Sequence, residues 1–246
     1  MTEESRYLYY VNDAKLNRIF QSISDRLDSL EGLRATANED NVNTQLKGPL
    51  TIGRMDTEHY AYFNEDGELS FIGRATVYND LVFPIDSAIP SAFLSPVWGA
   101  FKDGTNAYRF GVNDEMNLTL KLPNNYNNKS DFDIYLDWAS NGTDKDDRYV
   151  KWKIELTLTN PDFGFPSTET YEKEIAIMAN TDDMTLFHTN FGTIYGGFFF
   201  RGAVAKIMVK RVAAVGKAPA SAPFGLVFGV HLDCNSVGST TKTYEA

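Results

Sequence analysis

The chain has 246 residues, 43% of them hydrophobic and 23% charged, so it carries enough apolar surface to fold and is not a disordered polymer. A single cysteine rules out an internal disulfide framework or a cysteine-based zinc cluster. With Lys+Arg 23 against Asp+Glu 33 the net charge is −10, which argues against wrapping of a nucleic-acid phosphate backbone.

The first residues, Met1 to Ser5, begin acidic and lack the basic start and apolar core of a signal peptide. The longest apolar runs, such as Phe198 to Phe200 and Leu226 to Phe228, are strand-sized and fall far short of the about 20 residues of a spanning helix. The expectation is a protein that folds in a cytoplasm with no membrane insertion. Tyr7, Leu8, Tyr9, Tyr10 and Val11 then form an apolar patch where a polar terminus is usual. The patch reads either as a segment packed on its own body or as a docking peptide over residues 1–12 that ties the chain to a larger assembly.

Residues 13–33 carry a helical period. Leu16, Phe20, Ile23, Leu27 and Leu30 are spaced 4, 3, 4, 3, which places Leu16, Ile23 and Leu30 at heptad position d and Phe20 and Leu27 at a. Gly32 is a stop signal. A seam this narrow either lies on the downstream body or pairs with other copies in a short parallel coiled coil; Phe at a and no buried Asn favour three strands. Residues 35–48 are polar without a clear period and read as a connector.

From residue 49 the pattern is β. Leu50-Thr51-Ile52 is a short strand, and Tyr60 to Phe63 and Leu69 to Ile72 flank the turn signal Asn64-Glu65-Asp66-Gly67. Ala75 to Phe83 runs into a break at Pro84, and Tyr108 to Val112 follows. Leu118, Leu120 and Leu122 alternate with Thr119 and Lys121; Ile134, Leu136 and Trp138 share one face of the next run. Tyr149 to Leu158 alternates most cleanly, with Val150, Trp152, Ile154, Leu156 and Leu158 inward. Glu172 to Met178, Met184 to Thr189, Gly202 to Val212 and Gly225 to Leu232 supply four further strands. The expected fold is mainly β: a short N-terminal α-helix forming a trimeric coiled coil, a β-hairpin region, then an antiparallel jelly-roll sandwich. The expected segments are 1–12 for docking, 13–48 for helix and linker, 49–75 for the small β region and 76–246 for the knob.

A search for chemistry finds no phosphate loop, dinucleotide fingerprint or nucleophile elbow. The Tyr195-Gly196-Gly197-Phe198 run lies between strands and reads as a bulge or tight packing site. His59, His188 and His231 are the histidines; in a straight final strand His231 and Asp233 face away from Val230, Leu232 and Cys234, so Cys234 is a buried structural thiol. Asp131, Asp133 and Asp137 are the carboxylates a glycan-cleaving reading would use, and Asp144, Asp146 and Asp147 those for a calcium reading; solvated turn charge accounts for both groups. Trp98, Tyr126 and Tyr149 are the loop-proximal aromatics that could stack on a sugar, whereas Trp138 and Trp152 belong to the core. The expectation is no enzyme, no cofactor and no metal site.

Four stretches resemble a family of tailed-bacteriophage virion proteins, small trimeric fibre, decoration or tail proteins with a jelly-roll-like knob. Asp66 to Leu81 is similar to the family's DGTLKFxGDATVWxD segment. Leu120 to Tyr126, with Ser130, Asp131 and Trp138, resembles QLPHxYKEGSDLxxHxHW. His188 followed by Gly192-Thr193-Ile194-Tyr195-Gly196 resembles H…GTIxG, and the final strand with Gly238, Ser239 and Tyr244 resembles the family's end. The likeness spans residues 64–246. The chain departs from it at Asn124, Tyr135 and Asp137, where the family has histidine, so a histidine-centred ligand site is not expected.

The resemblance implies assembly. The expected protein is a non-enzymatic virion structural protein, assembled in the host cytoplasm as a homotrimer. It is a head fibre or capsid decoration protein docked by its N-terminus on the major capsid protein, or one attached to tail or portal proteins, with no nucleic-acid partner. The alternative is a receptor-binding tail fibre whose knob binds a host glycan.

Overall fold

The computed structural model describes residues 36–38, 41–45, 50–54, 59–64 and 68–237. The heptad residues Leu16, Phe20, Ile23, Leu27 and Leu30 and the docking residues Tyr7 to Val11 lie outside the described residues. The region read as a connector contains β1 (Thr36–Asn38) and β2 (Asn41–Gln45), paired antiparallel. Backbone pairing needs no apolar face, and a periodicity reading sees only apolar faces.

Strands β3 (Leu50–Arg54), β4 (His59–Phe63) and β5 (Leu69–Ile72) form a three-stranded antiparallel sheet, in which the hairpin read from the sequence is β4–β5 and the short strand at Leu50 pairs with β4. The turn between β4 and β5 is fastened at its base, where the Glu68 amide donates to the Asn64 side-chain oxygen at 2.8 Å. This sheet is tied to the end of the body, since the Phe71 amide donates to the Asn235 carbonyl at 2.7 Å.

The body holds β6 (Val77–Pro84), β7 (Ile89–Pro90), β8 (Val97–Ala100), β9 (Asn106–Arg109), β10 (Glu115–Lys121), β11 (Phe132–Ala139), β12 (Arg148–Thr159), β13 (Glu169–Ile177), β14 (Leu186–Ile194), β15 (Val204–Val212) and β16 (Phe224–Cys234). One sheet runs β13-β12-β15-β10-β7. The other runs β14-β11-β16, and β16 then pairs with β6 along Val227 to Cys234 and with β9 at Phe224 and Gly225, β8 lying outside β9. Every pairing is antiparallel.

The two sheets enclose one core. Leu118, Leu120, Ile134, Leu136, Val150, Ile154, Leu156 and Leu158 all point into it, as the alternation predicts. Trp138 of β11 faces Trp152 of β12 with ring centroids 5.9 Å apart, and Phe110 meets Trp152 edge-on at 5.2 Å. The Trp138 indole N–H donates to the Thr189 hydroxyl at 2.9 Å, which satisfies a donor that burial would otherwise leave stranded.

Two bulges set which residues face outward. Phe191 is the extra residue on β14 opposite Ile134 and Tyr135, with Gly192 beside it at φ 112°; Leu226 is the extra residue on β16 opposite Asp137 and Trp138. Each slips the in-out alternation by one residue. On β14 the inward phase runs through Phe187, Thr189 and Phe191 and then slips, so that Ile194 is the next buried residue.

Tyr126, in the crossing between β10 and β11, plugs one end of the core. It is wholly buried, packs edge-on against Phe132, and its hydroxyl donates to the Ser130 carbonyl. Burial pushes its phenol up to about 12; the Ser130 side chain opposes this in part, and the Asp131 and Asp233 carboxylates add to the rise. An unfolded tyrosine titrates near about 10. Between those values the unfolded chain loses a proton that the folded chain keeps. The contribution is therefore complete below about pH 10 and is lost as pH rises toward about 12, amounting to about 3 kcal/mol. Urea denaturation at stepped alkaline pH is expected to show this fall, and Tyr126→Phe to make it shallower. Tyr135 and Tyr171 are raised too, both mainly by burial, so some slope remains.

Candidate functional site

The outer face of the sheet β14-β11-β16-β6 gathers the histidines, aromatics and carboxylates that the sequence scatters over 150 positions, from Tyr78 to His231. Alternation along β11 turns Ile134, Leu136 and Trp138 inward and so presents Asp133, Tyr135 and Asp137 outward. The register sets His188 of β14 opposite Asp137, Gly229 of β16 opposite Tyr135, and His231 between Asp133 of β11 and Asp80 of β6.

Two His–Asp pairs result. His188 Nδ1 lies 2.7 Å from Asp137 Oδ1, and His231 Nδ1 lies 2.7 Å from Asp80 Oδ1. An ionised carboxylate only accepts, so Nδ1 carries the proton in each pair and Nε2 is the acceptor of the neutral ring. The third outward carboxylate, Asp133, accepts from the Thr193 hydroxyl at 2.6 Å.

Tyr135 lies between the pairs. Its ring rests flat over Gly229, where an added Cβ would come within 2.0 Å of the tyrosine Cζ, so the absence of a side chain on β16 is what lets the ring lie down. The ring centroid is 4.8 Å from that of His188. Burial pushes the phenol up, and the Asp80 and Asp137 carboxylates push the same way, which places it within the field of both pairs. At the β6 edge Tyr78 stacks on His231, 4.8 Å apart and 19° from parallel. The His188 side chain is 59% exposed and that of His231 41%, so solvent and solutes reach this face.

A second surface feature adjoins it. Val77, Tyr78 and Val82 of β6, Ile89 of β7, and Phe93 and Val97 beyond it are exposed apolar residues within a short length of chain, and Phe93 is 95% exposed. Among the described residues β6 pairs only with β16, so its other edge has unpaired backbone.

The remaining sequence candidates have local structural partners. Asp131 accepts from the Gly196 amide at 2.8 Å, so Asp131, Asp133 and Asp137 serve three separate contacts. Asp133 and Asp137 are four residues apart on one strand, roughly 13 Å between α-carbons. Asp144 pairs with Arg148 at 3.0 Å and Asp147 accepts from the Ala179 amide at 2.8 Å, so this acidic turn is braced from within the protein. Tyr126 is core and offers no ring to a sugar; Tyr149 lies against Gly216, and Trp98 of β8 is half-exposed against Tyr108. Cys234 faces inward, fully buried, and burial pushes its thiol up, with Asp233 adding to the effect.

The Tyr135 cluster escapes sequence reading because strand register and bulge positions create it. Its one visible signal is the outward parity of Tyr135 with Asp137 and of His231 with Asp233. Scanning the chain against protein-family models finds no match, and a search of curated proteins finds none either.

Proposed function

We propose that the protein is a non-enzymatic structural component of a tailed-phage virion, a homotrimer that presents its β body as an outward knob. The observation that carries this reading is strand order. Around the core, β6-β16-β11-β14 stacks on β10-β15-β12-β13, so in chain order the eight strands fall 1-8-3-6 in one sheet and 2-7-4-5 in the other. That order supports a jelly roll, two interlocked Greek keys, an architecture common in viral capsid and lectin domains. The phage assignment itself rests on the four sequence resemblances over residues 64–246.

In this reading residues 1–12, with Tyr7, Leu8, Tyr9, Tyr10 and Val11, dock on the capsid or tail. Leu16, Phe20, Ile23, Leu27 and Leu30 join three copies. Fewer than three heptads is marginal for an isolated coil, so the knobs must share the association. The exposed apolar residues at the β6–β8 edge support such sharing. The non-catalytic part of the proposal is supported by the separate engagement of Asp131, just before β11, and of Asp133 and Asp137 on it, and by the inward position of Cys234.

Ile23→Asp combined with Leu27→Asp is expected to convert the trimer to monomer while leaving the far-ultraviolet β signature of the knob intact. Size-exclusion chromatography with light scattering checks this. An unchanged oligomeric mass would remove the heptad from the account.

A second reading, a receptor-binding fibre, is favoured by one observation, the aromatic and carboxylate face around Tyr135.

A further inference from the structure

We infer that the outer face formed by Tyr78, Asp80, Tyr135, Asp137, His188 and His231 is a binding site for an uncharged, hydroxyl-rich oligosaccharide. The inference rests on this face alone and holds whether the chain is mounted on a capsid or a tail.

The two outer faces of the sandwich differ in kind. Strands β10, β12, β13 and β15 each contain lysine or arginine, and their surface carries cross-strand pairs such as Lys151 with Glu172 at 2.6 Å and Lys210 with Glu115 at 3.0 Å. That is the pattern of a solvated sheet face. Strands β6, β11, β14 and β16 contain no lysine or arginine at all. Their outward positions include Tyr78, Tyr135, His188, His231 and the carboxylates Asp80, Asp133 and Asp137, beside aliphatic and neutral polar residues such as Val82, Leu186 and Asn190. Exposed ion pairs contribute little stability, so folding does not require the two His–Asp pairs on this face.

The chemistry matches a sugar at each point. The carbon-bound hydrogens on one face of a pyranose pack against an aromatic ring, and Tyr135, half-buried over Gly229, places such a ring at the centre of the face. Tyr78, 72% exposed and backed by His231, presents a second. Each His–Asp pair uses one carboxylate oxygen on Nδ1. That leaves the other carboxylate oxygen and, in the neutral ring, the imidazole Nε2 as acceptors for ligand hydroxyls. The histidine is held in one tautomer and one orientation by its aspartate, so the acceptors are fixed before a ligand arrives.

Spacing sets the ligand's size and charge sets its class. The pairs are two strand spacings apart across the sheet and four residues apart along it, roughly 16 Å on the diagonal, with Tyr135 between them. That span fits several linked sugars and exceeds one. Asp80, Asp133 and Asp137, with no lysine or arginine on the same four strands, repel sialylated or sulfated chains.

The test is an array carrying neutral, sialylated and sulfated oligosaccharides probed with the full chain, then titration calorimetry with the neutral ones retained. Binding to at least one neutral oligosaccharide is expected, with none to the anionic sets. Tyr135→Ala is expected to weaken it tenfold or more, and the exposed Asp80→Asn and His188→Gln changes, which leave the core untouched, severalfold each. Lys151→Ala on the opposite face is expected to leave it unchanged. Silence across the neutral set, selection of anionic glycans, or neutral binding indifferent to Asp80→Asn and His188→Gln would overturn the proposal. Light scattering on the same sample reads oligomeric state separately, so failure here is distinguishable from failure of the trimer.

Discussion

Trp152→Ala is expected to destabilise the body by about 3–5 kcal/mol, the range for emptying a large aromatic site. Trp152 is wholly buried at the centre of β12, between Phe110 at 5.2 Å and Trp138 at 5.9 Å. Its indole nitrogen has no hydrogen-bond partner among the described residues, so the loss is of packing and hydrophobic transfer alone. Two rigid sheets cannot close over the gap without breaking the ladders to β13 and β15. Against a typical total of about 5–15 kcal/mol, such a loss leaves a marginal domain. Urea denaturation at fixed protein concentration should show a lower midpoint with an unchanged slope. Trp152→Phe, which keeps a ring in the site, should lose less than half as much.

Gly196→Ala is expected to cost a comparable amount, about 3 kcal/mol or more, for the opposite reason. An added Cβ would sit 1.6 Å from the Ser130 carbonyl oxygen, a backbone atom that cannot rotate away, and 2.8 Å from the Tyr126 hydroxyl bonded to it. Relief requires separating two loops joined by the Gly196 amide to Asp131 at 2.8 Å and the Lys129 amide to the Phe199 carbonyl at 2.9 Å. The neighbouring Gly197 is the control. The atoms its Cβ would meet first belong to the Tyr195 ring, a side chain that is 67% exposed and can swing aside at the cost of its edge contact with Phe198. Thermal melts of both variants should separate by several degrees, with Gly197→Ala near the parent protein.

These two positions also mark what the sequence makes legible. The inward set Val150, Trp152, Ile154, Leu156 and Leu158 is readable because β12 is regular from end to end. The Gly196 contact is readable only as a tight spot, since nothing local says that Ser130 is the neighbour. Where a bulge intervenes, as at Phe191 and Leu226, the period slips; the reading of β14 stops at Thr189, short of its bulge, while that of β16 runs across Leu226 without registering it. Where pairing is polar, as in β1 and β2, the period carries no apolar signal. Tyr126 reads as a loop aromatic because loops are usually exposed, but this loop crosses between sheets and its ring closes the core.

The candidate site was hardest to see for the same reason. Asp80, Tyr135, Asp137, His188 and His231 come from four strands, and only register brings them together. The departures at Tyr135 and Asp137 from the resembled histidine pattern suggested that no histidine-centred site would be present. The structure instead supplies histidines to this face from β14 and β16, each held by an aspartate of the neighbouring strand. The net charge of −10 takes on a spatial sense: lysine and arginine are absent from every strand of the face proposed to bind a neutral ligand.

Homotrimeric assembly is the central claim, and the mass of the full chain in solution tests it most directly. Multi-angle light scattering at micromolar concentration and physiological salt should give three times the 27.6 kDa chain mass, stable on dilution. A mass of one chain across that range would contradict the account.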